Sequence, residues 1–253
     1  MRANQPILFL VVLILLLSSC KKTMQYPTSP LSDYLPLQSG KYIIYRTDST
    51  VFTNFGVNTE IHSYEEKQVV DSQITDGLGR PGYRIYTFLR DTDETQPWAS
   101  SGTYIIIPLS TSAEVIENNM RMIKLALPFT QNYTWQGNSF LPDDPYDPTY
   151  KFSNDDDINS WTYTYPNIDT TIILNGQTIN NVLEVNGINE STNVPITDVN
   201  GYASLNFQQE YYAKGIGLVS QELVMWEYQP ARGPGTFASK VGFGVKRTML
   251  NHN

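Results

Sequence analysis

The feature that most constrains this chain is how its β-forming runs are interrupted. Residues 170–174 (Thr-Thr-Ile-Ile-Leu) and 177–185 flank Asn175-Gly176. A two-residue type I′ turn needs positive φ at both central positions, which Asn and Gly tolerate best, so this stretch predicts a tight hairpin. Similar runs recur from Lys41 onward. Tyr42 to Tyr45 opens the series, and 61–74 is a second extended segment. Residues 83–90 alternate so that Tyr83, Ile85, Thr87 and Leu89 share one face and Arg84, Tyr86, Phe88 and Arg90 the other. Residues 103–109, 161–165, 202–213, 218–229 and 241–250 continue it, with Gly, Pro, Asn and Asp clusters between most of them. On 202–213 the apolar residues are Leu205, Phe207 and Tyr211. Residues 113–124 admit a short helix or two strands meeting at Asn118-Asn119; the β surroundings favour strands. Residues 128–160 read as a long loop and 186–200 as a polar loop. The chain is therefore expected to be all-β with at most one short helix, as a single, mostly antiparallel domain over residues 41–253.

What precedes that domain has a different character. Ile7 to Leu17 is an unbroken apolar run of eleven residues, about half of the roughly 20 needed to span a bilayer as a helix. Ser18, Ser19 and Cys20 follow. Leu17-Ser18-Ser19-Cys20 resembles a bacterial lipobox. In proteins with that pattern the Cys sulfur receives a diacylglyceryl group and the chain is cut before the Cys. Residues 1–19 are then a lipoprotein signal peptide, and 20–40 a lipidated tether carrying Pro27, Pro30 and Pro36. Cys20 is the only cysteine, so a disulfide or a thiolate nucleophile is excluded.

Charge and composition narrow the function classes. With Arg2 removed, 16 basic side chains face 25 acidic ones, a sum of −9. Such a body has no electrostatic attraction to nucleic acid. Seventeen Tyr, ten Phe and four Trp suit strands and surfaces that are part apolar, part wet. Trp98, Trp135, Trp161 and Trp226, with Tyr163, Tyr165, Tyr211 and Tyr212, either pack the core or line a cleft for sugar or lipid.

No catalytic constellation emerges. The histidines are His62, in a polar β-like stretch, and His252, expected to fray at the terminus; a multi-imidazole metal site is not expected. There is no Gly-x-Ser-x-Gly elbow. Gly215-Ile216-Gly217 lacks the third Gly of a dinucleotide fingerprint. Asp143, Asp144 and Asp147, followed by Asn154, Asp155, Asp156 and Asp157, form two acidic clusters without the Gly and Glu positions of an EF-hand; they read as a solvated, mobile loop, with Ca²⁺ binding as the alternative that loop oxygens leave open. No metal, no organic cofactor and no catalytic residue is assigned. Paired carboxylates drawn from Glu114, Glu117, Glu184, Glu210, Glu222 and Glu227 keep a carboxylate-dependent glycan hydrolase open, although acidic residues alternating with apolar ones on strands usually mark a wet face.

The lipobox with Lys21-Lys22 behind it, the lead-in ending at residues 34–42, the segment Tyr212 to Val219 and the Tyr- and Asn-rich style together resemble the uncharacterised β-rich lipoproteins of Bacteroidota. The resemblance implies an outer-membrane location and a curved, mostly antiparallel sheet, of open half-barrel or sandwich-like form. In that phylum surface-exported lipoproteins often carry acidic residues after the lipidated Cys. Lys21, Lys22 and Thr23 stand here instead, which favours the periplasmic side. The expected partners are membrane lipid through Cys20 and an envelope protein, a glycan or an apolar ligand. A broad apolar concavity favours binding; two close carboxylates in an aromatic cleft favour the hydrolase.

Overall fold

A computed structural model describes residues 29–253; the lipobox residues Leu17, Ser18 and Ser19, and Cys20 itself, lie outside the described residues. The strands are β1 (Tyr42–Thr53), β2 (Asn58–Thr75), β3 (Pro81–Arg90), β4 (Ala99–Pro108), β5 (Ser112–Glu117), β6 (Met120–Ala126), β7 (Thr134–Gln136), β8 (Thr162–Thr164), β9 (Thr170–Leu174), β10 (Gln177–Thr192), β11 (Ala203–Ala213), β12 (Gly217–Gln229) and β13 (Ser239–His252). Twelve follow one another in one sheet, in the order β6-β5-β4-β3-β2-β1-β13-β12-β11-β10-β8-β7, and β9 pairs with β10 off this path. The pairings are antiparallel. The fold is all-β, and the sheet curls into a nearly closed barrel.

Local sequence accounts for many of the turns. Asn175 and Gly176 take φ of 50° and 77°, and Leu174 faces Gln177 across the tight turn. Asn118 and Asn119 take φ of 51° and 64° and join β5 to β6, so residues 113–124 are strands. The β3 alternation holds: Ile85 and Thr87 are buried, while Arg84 reaches Asp71 on the other face.

Three segments depart from the sequence reading. Strand β10 runs on to Thr192 through what read as a polar loop, because an irregularity between Asn186 and Asn189 absorbs the misfit with β11. His252, expected to fray, is held in the ladder opposite Ile43. Residues 128–160 form no extended ladder beyond β7, yet bury Phe129, Leu141, Phe152, Ile158 and Asp155. They are packed, not solvated as a whole.

Barrel size explains that packing. About eight strands enclose just enough room for their inward side chains, and a larger barrel leaves a lumen. Here two segments enter the surplus space. At the end where β1 begins, the lead-in docks against the β11–β12 turn: the Asp33 carbonyl accepts the Gly215 amide at 2.6 Å, Asp33 pairs with Lys214 at 2.9 Å, and Tyr34 packs edge-on against Phe129. At the other end the 141–161 segment crosses the inner face. Ser153 donates to Glu227, Asn154 to the Trp226 carbonyl at 2.8 Å, and Tyr146 packs on Phe243.

Candidate functional site

Between those two segments lies a cavity of about 330 Å³. Its walls follow from the period-two geometry of the strands. Ile43 on β1, Ile85 on β3, Ile106 on β4, Met122 on β6, Leu223 on β12 and Val245 on β13 are apolar lining residues, joined by Leu141, Ile158 and Trp161 from the crossing segment.

The same inward phase carries charge. Glu210 on β11 is fully buried. Lys124 on β6 donates to its Oε1 at 2.6 Å, Gln221 to the same oxygen at 2.9 Å, and the Tyr212 hydroxyl to Oε2 at 2.7 Å. Gln221 Oε1 accepts from Arg247 Nη1 at 2.6 Å, and Arg247 Nε donates to Glu66 Oε2 at 2.9 Å. Gln68 donates to Glu66 Oε1 at 2.7 Å and accepts from the Tyr104 hydroxyl at 2.8 Å. One continuous network thus runs from β4 through β2, β13, β12 and β11 to β6. Its last step joins two strands that are not sheet neighbours, since β6 pairs with β5 and β11 lies between β10 and β12.

Burial alone would push the Glu210 carboxyl up, but the Lys124 charge and the donors around it outweigh that and hold it below 4.5. Burial opposes the charge on Arg247 as well, and Glu66 more than offsets it, so its pKa is raised. Burial drives the Tyr163 and Tyr212 hydroxyls well above 10, with Glu210 the next cause in each; both are neutral donors. Tyr163 donates to Gln208 Oε1 at 2.6 Å. Its ring fills room left by two glycines: a Cβ at Gly137 would fall 2.4 Å from the ring, and one at Gly187 3.2 Å from it.

The sheet path ends at β6 and β7, and backbone and side-chain hydrogen bonds bridge these edges. Ile123 N–H donates to the Gly137 carbonyl at 2.7 Å, and Trp135 Nε1 donates to the Ile123 carbonyl at 2.9 Å. The Tyr165 hydroxyl accepts the Ala126 amide and donates to the Ala126 carbonyl, each at 2.8 Å.

The sequence candidates therefore separate. Trp161, Tyr163 and Tyr212 line the cavity. Trp135 and Tyr165 bridge the seam. Trp98 and Trp226 lie under Arg90 and Lys240, and Tyr211 packs against the smaller cluster around Tyr45 and Val182. Of the six glutamates, Glu117 and Glu210 line the cavity. Glu222 pairs with Lys246 on the exposed face, Glu114 with Arg80, Glu184 accepts from Asn167 and Gln209, and Glu227 from Ser153. His62 is exposed beside Glu60, far in sequence and strand position from His252. The wet-face expectation holds for Glu222 and is overturned for Glu210, which points inward to a lysine on the non-adjacent strand β6. Glu66, Lys124 and Arg247 were not singled out from sequence. Arg247 had a signal: it shares the phase of Phe243 and Val245 on β13.

Among the described residues no helix is long and apolar enough to cross a membrane. No protein-family model matches the chain, and no curated protein is detectably similar to it.

Proposed function

We propose that this protein is an envelope lipoprotein, held at the outer membrane by lipid on Cys20 and facing the periplasm, that binds a small amphipathic molecule inside its barrel without transforming it. The observation that carries the binding role is the cavity of about 330 Å³, lined by aliphatic and aromatic side chains, with the Glu210–Lys124 and Glu66–Arg247 pairs beside them. That size falls within the range of about 300–1,000 Å³ usual for small-molecule sites. The apolar part of the ligand lies against Ile85, Ile106, Met122 and Leu223. Its polar group meets the Tyr163, Gln208 and Tyr212 end of the network. Glu210 is committed to Lys124 and held down as a carboxylate, which suits a fixed dipole and not a general acid, whose pKa would have to be raised. That argues for binding over glycan hydrolysis.

Mass spectrometry of the membrane-extracted protein tests the role. A small amphiphile is expected to be recovered near one per chain. Leu223→Trp fills the cavity at a cost of about 1–3 kcal/mol, and the recovered amount should then drop at least about tenfold. Equal recovery from both proteins would mean that the molecule is bulk lipid carried on the surface, and the role would fail.

The anchor has its own test. One acyl chain binds a membrane only reversibly, and two or more hold durably at about 0.8 kcal/mol per buried methylene. The intact mass of wild-type protein is expected to show a diacylglyceryl group on an N-terminal Cys20. Cys20→Ala should lose both the lipid and the cut before residue 20. Wild-type protein without that mass would sink the anchor.

A further inference from the structure

The segment that crosses the barrel interior carries a second constellation. Asp144, Asp155 and Asp156 come from the two acidic clusters of the sequence, and each places one carboxylate oxygen within 4.8 Å of the other two. Asp144 and Asp156 are exposed, whereas Asp155 is fully buried. Asp155 Oδ2 accepts the Tyr146 amide at 2.8 Å. Its other oxygen, Oδ1, is buried with no hydrogen-bond partner. Buried carboxylate oxygens in native proteins are almost always paired, so an orphan calls for an explanation.

No protein cation supplies one. Lys151 is the one basic residue between 125 and 200, and it pairs with Asp147 at 2.9 Å. None of the ion pairs among the described residues includes Asp144, Asp155 or Asp156. Three carboxylates therefore converge without a counter-charge, one of them cut off from water.

We propose that Asp144, Asp155 and Asp156 form a Ca²⁺ site that fastens the 141–161 segment across the barrel. Ca²⁺ takes six to eight oxygens at about 2.3–2.6 Å, so oxygens on opposite sides of the ion stand up to about 5 Å apart, and the spread of this cluster fits within that. Mg²⁺ demands a tighter octahedron and dehydrates reluctantly, which suits this loop less well. Water and loop carbonyls complete the shell. The site is built by tertiary folding and not by one contiguous loop, which is why EF-hand spacing is absent. Its place in the fold gives it a role: Leu141 and Ile158, at the two sides of the cluster in sequence, both line the cavity.

The test uses the full-length protein in detergent, stripped with chelator and titrated with Ca²⁺ by calorimetry. One Ca²⁺ per chain is expected, with a Kd of about 10⁻⁵–10⁻³ M. Tb³⁺ in place of Ca²⁺ should luminesce on excitation of Tyr146, whose backbone touches Asp155, and Ca²⁺ should displace it. Asp155→Asn alters a buried contact, so the exposed variants Asp144→Asn and Asp156→Asn carry the decision. Each should weaken binding at least about tenfold, the scale that even outer-shell losses produce. No saturable binding up to about 10 mM, well above the weakest extracellular sites, would overturn the proposal. So would an unchanged affinity in the Asp144→Asn/Asp156→Asn double variant, which would place the calcium on co-purified lipid.

Discussion

Replacing Lys124 by Met should lower the stability of the protein by about 3–5 kcal/mol at neutral pH, because it leaves Glu210 as a buried charge without its ionic partner. For a chain of this size each kcal/mol moves the melting temperature by about 2–4 °C, so the expected fall is roughly 6–20 °C. The side chains of Lys124 and Glu210 are 12% and 1% exposed, so solvent screening gives little relief. The pH dependence should change sign as well. In the wild type the Glu210 pKa is depressed below 4.5. A depressed carboxyl contributes stability above its unfolded pKa and loses it as pH falls through the folded value. Without Lys124, burial governs Glu210 and its pKa rises. A raised carboxyl contributes stability below its unfolded pKa and loses it as pH rises through the folded value. Melting of both proteins between about pH 4.5 and pH 8 should show the gap closing on the acid side. Lys124→Arg, which keeps the charge, should restore the wild-type slope. A gap that stays constant across that range would show that Lys124 acts through packing and not through its charge.

The same residue shows where sequence reading stops. Period-two alternation assigns residues to faces but does not say which face is inward. On β3 the question answers itself, since one face is Tyr83, Ile85 and Thr87 and the other carries two arginines. On β11 it misleads. Leu205, Phe207 and Tyr211 carry the apolar phase, yet Gln208, Glu210 and Tyr212 are the residues that line the cavity, and Gln208 and Glu210 are more deeply buried than Phe207 and Tyr211. A polar face can turn inward only if other strands supply partners. For Glu210 that partner is Lys124, 86 residues away in the chain, a relation no local pattern contains. The turns at Asn118-Asn119 and Asn175-Gly176 were legible because both the cause and the effect lie within four residues. The acidic segment was not. Its carboxylates look solvated in sequence, and only the surplus room of a barrel this wide draws Asp155 inside. The curvature was expected. Its extent, to a seam that nearly closes, depends on Trp135 and Tyr165 meeting a strand edge whose identity the order of the sheet alone decides.

That seam yields the second large effect. Tyr165→Phe should destabilise the protein by about 2–6 kcal/mol, with every ring contact retained. The hydroxyl serves both backbone groups of Ala126, accepting its amide and donating to its carbonyl at 2.8 Å each. It thereby does for β6 what one residue of a paired strand would do. Ala126 is 6% exposed and Tyr165 is fully buried, so water cannot take over without opening the seam. Each buried backbone group left unpaired costs about 1–3 kcal/mol, and two are lost together. The phenyl ring keeps its tilted contact with Trp135, at 4.5 Å between centroids, and its edge contact with Phe129, so the variant isolates the hydrogen bonds from the packing. Amide exchange gives a local readout besides the melt. Ala126 should lose its protection selectively, while Ile123, whose amide donates to the Gly137 carbonyl, should be affected less. If Ala126 exchanged as slowly in Tyr165→Phe as in the wild type, with stability within about 0.5 kcal/mol, the hydroxyl would not be what holds the β6 edge, and the seam would rest on the bonds that Trp135 and Gly137 make to Ile123.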